Sequence, residues 1–299
     1  MAKQTKRKIL LALDGSDRAF ETVRYVCQIP PFREMHVVLF TVFSKIPDAY
    51  WDMERQPNLG KRMRDIRAWE GQKQKAIKED MKNAWQKLID EGFSRDAVTV
   101  KIQERKEGIA RDIINEAKNG YDAVAIGRKG MSKLKELVLG SVATKLLEKL
   151  EFVPLFMVGR FQPPMKLLLA LDSSEASARI VDYVGTTLSG CDCDVTLTYV
   201  VRGEERETIE EATKRIDPVF NMAKSHLTHS GFEPDRINTK IITGVLSRAG
   251  AIVHEAEDGG YCTIVVGRKG ISKVSDFFIG RVSNKVVQLG GEKVVLVVS

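Results

Sequence analysis

The sequence predicts an α/β protein built as two successive doubly wound sheets, each of five parallel strands with helices on both faces. Three observations lead there. Short, continuous apolar runs alternate with longer segments of helical apolar spacing, and an unbroken apolar run is the mark of a strand buried on both faces of a parallel sheet. The alternation is traversed twice: Val124-Ala-Ile-Gly127-Arg128-Lys129-Gly130, nine residues, then Gly140-Ser141 returns as Ile264-Val-Val-Gly267-Arg268-Lys269-Gly270, nine residues, then Gly280-Arg281. Both glycine pairs recur at a separation of 140 residues (Gly127 to Gly267, Gly140 to Gly280), the signature of an internal repeat. Finally, 299 residues, 43% of them hydrophobic and 29% charged, suffice for two full cores.

Taken in order, residues 6–13 form the first strand, which stops at Asp14-Gly15-Ser16-Asp17. Ser16 or Asp17 then caps a helix over about 18–28 that Pro30-Pro31 ends. Residues 36–43 are a second apolar strand. An irregular stretch at 44–60 leads into a long amphipathic helix over about 61–91, whose apolar stripe includes Ile66, Trp69, Met81 and Leu88. Trp69 and Trp85 are expected in the core. Residues 97–102 alternate in polarity, as an edge strand does. Gly108 opens a helix to about 118, residues 123–126 are the fourth strand, and 154–158 the fifth. A linker at 159–165, with Pro163-Pro164, divides a first domain over 1–160 from a second over 165–299. The second domain repeats the series: strands at 166–171, 194–201, 237–242, 261–266 and 293–298, with helices near 175–188, 205–230, 244–257 and 280–289.

Composition excludes several classes. No apolar run approaches the roughly 20 residues that span a bilayer. Residues 9–13, cut by Asp14, are too short for a signal sequence, so a cytoplasmic protein is expected. The net charge of +7 suits an anionic ligand and also weak attraction to nucleic acid. The cations are dispersed, however, and no arginine-rich segment or aromatic RNA-binding motif accompanies them, so a nucleic-acid partner is not expected. Cys27 and Cys262 lie in apolar contexts, Cys191-Asp192-Cys193 lacks redox spacing, and free thiols are expected. His36, His226, His229 and His254 form no triad. There is no Walker loop and no Gly-x-Gly-x-x-Gly after the first strand.

The repeated stretch carries the chemistry. Two glycines three apart let a backbone loop approach a ligand closely, because neither has a Cβ. Gly140-Ser141-Val142 opens a segment of helical spacing, and a helix N-terminus offers unpaired N–H groups and a positive dipole end to phosphate. Ser141 adds a hydroxyl, and Arg128 and Lys129 put two cations alongside. The doubled pattern, Gly-x-x-Gly-x9-Gly followed by Ser or Thr in the first copy, resembles the nucleotide-binding signature of the ATP-binding universal stress proteins. The resemblance extends over nearly the whole chain, apart from residues 44–60 and the N-terminal tail.

That resemblance implies two Rossmann-like domains of strand order 3-2-1-4-5, with the ligand at the switch point between strands 1 and 4. It implies ATP, AMP or ADP as ligand, with magnesium able to accompany ATP, and a sensor or regulator of stress responses. In the first domain the implied site comprises Asp14, Val42 against adenine, Gly127, Arg128, Lys129, Gly130, Gly140, Ser141 and Val142. In the second it comprises Asp172, Val200, Gly267, Arg268, Gly270, Gly280, Arg281 and Val282. Asp14 reads either as a ribose or magnesium ligand or as a turn and cap residue. Arg281 stands where Ser or Thr is expected; it would clamp phosphate or fill the site. Ser283, two residues later, is expected to point elsewhere. No general base stands beside the phosphate loop, so enzymatic activity is at most slow, magnesium-dependent ATP hydrolysis. A nucleic-acid-associated basic protein is the other alternative.

The fifth strands, at 154–158 and 293–298, are strongly apolar and would lie at sheet edges in this order, where an exposed apolar strand is a pairing liability. One-domain relatives commonly dimerise through that edge. The tandem chain is expected to satisfy it internally as a pseudo-dimer, leaving other surfaces for any homodimer.

Overall fold

The computed structural model describes residues 7–45, 60–128, 139–160, 163–202, 206–269 and 279–299. The first half contributes β1 (Lys8–Ala12), α1 (Asp17–Cys27), β2 (His36–Phe43), α2 (Gly60–Asp90), β3 (Val98–Glu104), α3 (Ile109–Ala117), β4 (Ala123–Gly127), α4 (Ser141–Lys149) and β5 (Leu155–Val158). The second contributes β6 (Lys166–Ala170), α5 (Glu175–Thr187), β7 (Asp194–Val200), α6 (Arg206–His229), β8 (Ile237–Ile242), α7 (Arg248–Asp258), β9 (Thr263–Gly267), α8 (Arg281–Leu289) and β10 (Val294–Val298). A short 3-10 turn, Pro30–Glu34, follows α1 where the prolines were expected simply to stop it.

All ten strands join one sheet in the order β3-β2-β1-β4-β5-β10-β9-β6-β7-β8. Each half therefore has the order 3-2-1-4-5 with parallel neighbours, as expected of a doubly wound unit. The halves meet where β5 and β10 pair antiparallel, in the register Leu155↔Val297, Phe156↔Leu296 and Met157↔Val295. Both strands are fully buried, as their unbroken apolar sequences require. The outer strands are β3 and β8. They carry the polar, alternating sequences Val-Thr-Val-Lys-Ile-Gln-Glu and Ile-Asn-Thr-Lys-Ile-Ile, and edge lysines disfavour pairing with another chain.

The core is continuous across this junction. On one face a single buried cluster runs from Val23, Tyr25 and Phe32 through Phe156 to Val184, Val265 and Leu296. Phe156 of β5 stands 5.7 Å from Phe32 edge-on and 6.4 Å from Tyr183 of the other half. Tyr25 reaches across to Thr263, hydroxyl to hydroxyl, at 3.1 Å. At the end of β5, Gly159 lies so close to residues 292 and 293 that a Cβ would overlap their backbone.

Two expectations about side chains divide. Trp85 packs on the core, but Trp69 is 55% exposed, with Lys73 over its ring. The four cysteines are free, and Cys27, Cys193 and Cys262 are buried. No helix of the described residues is long and apolar enough to cross a membrane.

Candidate functional site

In each half the carboxyl ends of strands 1, 2 and 4 converge at the switch point, where α/β sheets bind ligands. In the second half these ends (β6, β7 and β9) line a cleft of about 740 Å³, together with α5, α6 and the N-termini of α7 and α8. Such a volume lies within the range of cofactor sites, roughly 300–1,000 Å³. In the first half, Leu13, Gly15, Ala19, Phe20, Thr41, Ile77, Asp80 and Met81 surround a small space of about 10 Å³ between α1 and α2. Lys129 and Gly130 lie outside the described residues, as does Gly270.

The strand-end aspartates are held alike. Asp14 Oδ1 accepts from the Ser16 N–H at 3.1 Å and from its hydroxyl at 2.6 Å, while Ser16 Oγ accepts from Ala19 N–H at 3.2 Å and caps α1. Asp172 Oδ1 accepts from Ser174 N–H at 2.9 Å and from the Ser174 and Ser177 hydroxyls. Turn formation thus occupies Oδ1 in both halves. Asp172 lines the cleft; Asp14 is exposed at the equivalent place. Val200 is buried and lines the cleft, and Val42 is half-buried against the first half's core.

The glycines have structural work of their own. Gly127 ends β4 and Gly267 ends β9. A Cβ on Gly267 would stand 2.7 Å from Ala176 Cβ, so the glycine lets α5 pack against the strand end as well as opening the loop. Gly140 N–H donates to Arg128 O at 3.2 Å and Gly280 N–H to Arg268 O at 2.7 Å, each closing its nine-residue excursion. Gly140 and Gly280 then serve as N-caps of α4 and α8, with nearly the same backbone angles (φ −62°, ψ 149° and φ −63°, ψ 147°). Ser141 and Val142, or Arg281 and Val282, form the first turn.

The two arginines between the glycines correct the sequence reading. Arg128 and Arg268 were expected to place cations beside phosphate, yet they are 6% and 4% exposed and reach into the opposite half. The Arg128 guanidinium donates to Val287 O at the end of α8, and Arg268 donates to Leu147 O at 2.6 Å and Leu150 O at the end of α4. A helix C-terminus has carbonyls without partners and a negative dipole end, so a guanidinium suits it. Burial pushes the Arg128 pKa down to about 10, which leaves it charged at neutral pH, and burial lowers that of Arg268 as well. Each loop arginine therefore grips the helix whose other end faces the opposite half's site.

Arg281 does not fill the second site: the cleft stays open with Arg281 exposed on its wall. Ser283, expected to point elsewhere, lines the cleft and donates to Gly267 O at 2.6 Å, tying the first turn of α8 to the end of β9. The sequence reading missed Arg202, Arg215, Arg248 and Lys285, which line the cleft with Lys269 and Arg281. Asp172 is the single carboxylate among the lining residues. Aligning the halves would have found the arginines. Ser44 follows β2 where Arg202 follows β7, Ile109 opens α3 where Arg248 opens α7, and Ala76 and Arg215 stand at the same distance before Leu88 and Leu227. No group of three or more His, Cys, Asp or Glu able to hold a metal occurs among the described residues.

A doubly wound fold with helix N-termini at duplicated switch points has the geometry in which α/β sheets receive ligands. The sequence profile of the universal stress protein family matches residues 6–158 and again 164–298, and the chain belongs to that family. A universal stress protein from Archaeoglobus fulgidus DSM 4304 is similar over 99% of both chains, with 19% identity and a TM-score of 0.65. A functionally unknown protein from Pseudomonas aeruginosa PAO1 is similar over 99% of this chain and 93% of its own, with 16% identity and a TM-score of 0.60. A universal stress protein from Archaeoglobus fulgidus in complex with dAMP matches 46% of this chain and 100% of its own, with 19% identity and a TM-score of 0.36. No curated protein matches the chain.

Proposed function

We propose that the chain binds adenine nucleotides at its two switch points and works as a nucleotide-responsive regulator of the stress response. The observation that carries this reading is the second-half cleft. It joins an apolar wall (Ile180, Val200, Val266) to the N-terminus of α8 and to Lys269 and Arg281. An apolar wall suits a base, and the helix end with its cations suits phosphates. Asp172 stands where a ribose hydroxyl would be met. The duplicated Gly-x-x-Gly-x9-Gly pattern and family membership support the same reading for the first half, through Asp14, Val42, Gly127, Gly130, Gly140, Ser141 and Val142. Magnesium would accompany ATP through its phosphates. The antiparallel β5–β10 junction supports a view of the chain as a covalent dimer of two such units, 1–160 and 165–299.

The test has two parts. Nucleotide released by denaturing the purified protein is identified by mass spectrometry, and ATP, ADP and AMP are titrated calorimetrically into nucleotide-free protein. Saturable binding at micromolar to millimolar concentration is expected, weakened by Gly140→Val or Gly280→Val. Protein that carries no nucleotide and binds none would overturn the reading.

A further inference from the structure

Resting on that reading of the second cleft, we infer that this half takes a nucleotide phosphorylated at two separate places, rather than one whose phosphates all lie at one end. Six cationic side chains line the cleft against one carboxylate. A single triphosphate tail on the α8 terminus would engage those near β9: Lys269, Arg281 and Lys285. The other three stand apart. Arg202 follows β7, which lies on the far side of β6 from β9. Two strand spacings separate those ends, about 10 Å. Arg248 opens α7, which packs on α8 and reaches across to β7, and Arg215 comes from α6, whose partner is α5. Arg202, at the end of β7, and Lys269, at the end of β9, thus flank the end of β6 that leads to Asp172, with Arg248 and Arg215 entering the cleft from α7 and α6.

The first half differs at each of these three positions. Ser44, Ala76 and Ile109 replace Arg202, Arg215 and Arg248 at corresponding positions, although the Gly-Arg-Lys-Gly segment is unchanged. The halves thus share the Gly-Arg-Lys-Gly segment and differ at these three arginine positions. Arginine holds phosphate bidentately through its planar fork, and a group of them facing an apolar wall selects charge placement as well as total charge. A ribose seated at Asp172, with a 5′-phosphate toward Arg281 and a second phosphate on its 2′- or 3′-oxygen toward Arg202 and Arg248, satisfies both groups. A molecule bearing phosphate only on the 5′ side leaves the second group unused.

The probes are ATP and adenosine 3′,5′-bisphosphate, which place comparable charge at one end and at two. They are titrated into the full chain carrying Gly140→Val, so that the second half is read alone. The bisphosphate is expected to bind at least about tenfold more tightly than ATP, about 1.4 kcal/mol. In the Arg202→Ser/Arg248→Ile chain, which restores the first half's residues, that ratio should fall to about one. Arg215→Ala alone provides a second variant that should lower it. Equal or tighter binding of ATP would overturn this inference while leaving nucleotide binding intact. A preference that survives both variants would overturn its assignment to these arginines. Failure of both probes to bind would overturn the underlying reading instead.

Discussion

Arg268 and Lys269 are neighbours in sequence with opposite environments. Arg268 is buried and donates to Leu147 O and Leu150 O across the junction, while Lys269 is exposed on the cleft wall. Arg268→Met should strip partners from the carbonyls at the end of α4 and destabilise the protein by about 1–3 kcal/mol. Lys269→Met should change stability by less than about 0.5 kcal/mol, as an exposed substitution does, and should weaken ATP binding. Urea midpoints and calorimetry on the two variants make the comparison. If Lys269→Met destabilised and Arg268→Met did not, the division of labour would be the reverse. The sequence could not separate these two residues. Spacing placed both beside the glycines, and only the first half's presence behind the loop turns the arginine inward.

At the scale of elements, each half pins its third strand to the helix that follows by a carboxylate, buried at Glu116 and half-buried at Glu255. Glu116 of α3 accepts from Lys101 of β3 and from the Tyr121 hydroxyl at 2.8 Å; Glu255 of α7 accepts from Lys240 of β8 at 2.6 Å. Burial alone would raise the Glu116 pKa, but the bonds from Lys101 and Tyr121 outweigh it and hold the group below the ordinary glutamate value. A carboxylate depressed in the folded state gives its full stabilisation above its unfolded pKa, about 4.3, and loses it as pH falls through the folded value. The native chain should therefore lose more stability between about pH 6 and pH 3 than Glu116→Gln does. Equal losses in parallel urea titrations would show that Glu116 is not a source of the pH dependence. Elements of this kind were largely legible from sequence. Unbroken apolar runs gave the buried strands, alternation at 97–102 gave the outer strand β3, and Gly108, Gly140 and Gly280 marked helix starts. Less legible was Trp69, whose helical spacing matches a core stripe although its ring is exposed. Arg202, Arg215 and Arg248 share no local pattern, and only an alignment of the two halves sets them apart from Ser44, Ala76 and Ile109.

For the whole molecule, the junction determines how the halves can influence one another. Replacing Val295 and Val297 of β10 with lysine puts charge into the fully buried pairing with Met157 and Leu155, and it should separate the halves and enlarge the particle in solution scattering. Unchanged compactness and stability would contradict the shared sheet. A finer consequence follows from the loop arginines. Arg128 leaves the first half's glycine loop and holds the end of α8, whose N-terminus faces the second cleft; Arg268 does the converse through α4. A ligand that shifts one loop thus shifts the helix presented to the other ligand, and linkage makes the effect mutual. Coupling of this kind is typically 1–3 kcal/mol, or about 5–150-fold in affinity. We expect the second site's affinity for ATP to differ several-fold between the native chain, with its first site saturated, and the Gly140→Val chain. Arg128→Met should erase that difference. So should Gly159→Val, which touches neither site and instead crowds the backbone of Glu292 and Lys293 beside β10. Native protein whose two sites fill with independent, unchanging affinities would show that the crossed arginines hold the halves together without carrying a signal between them.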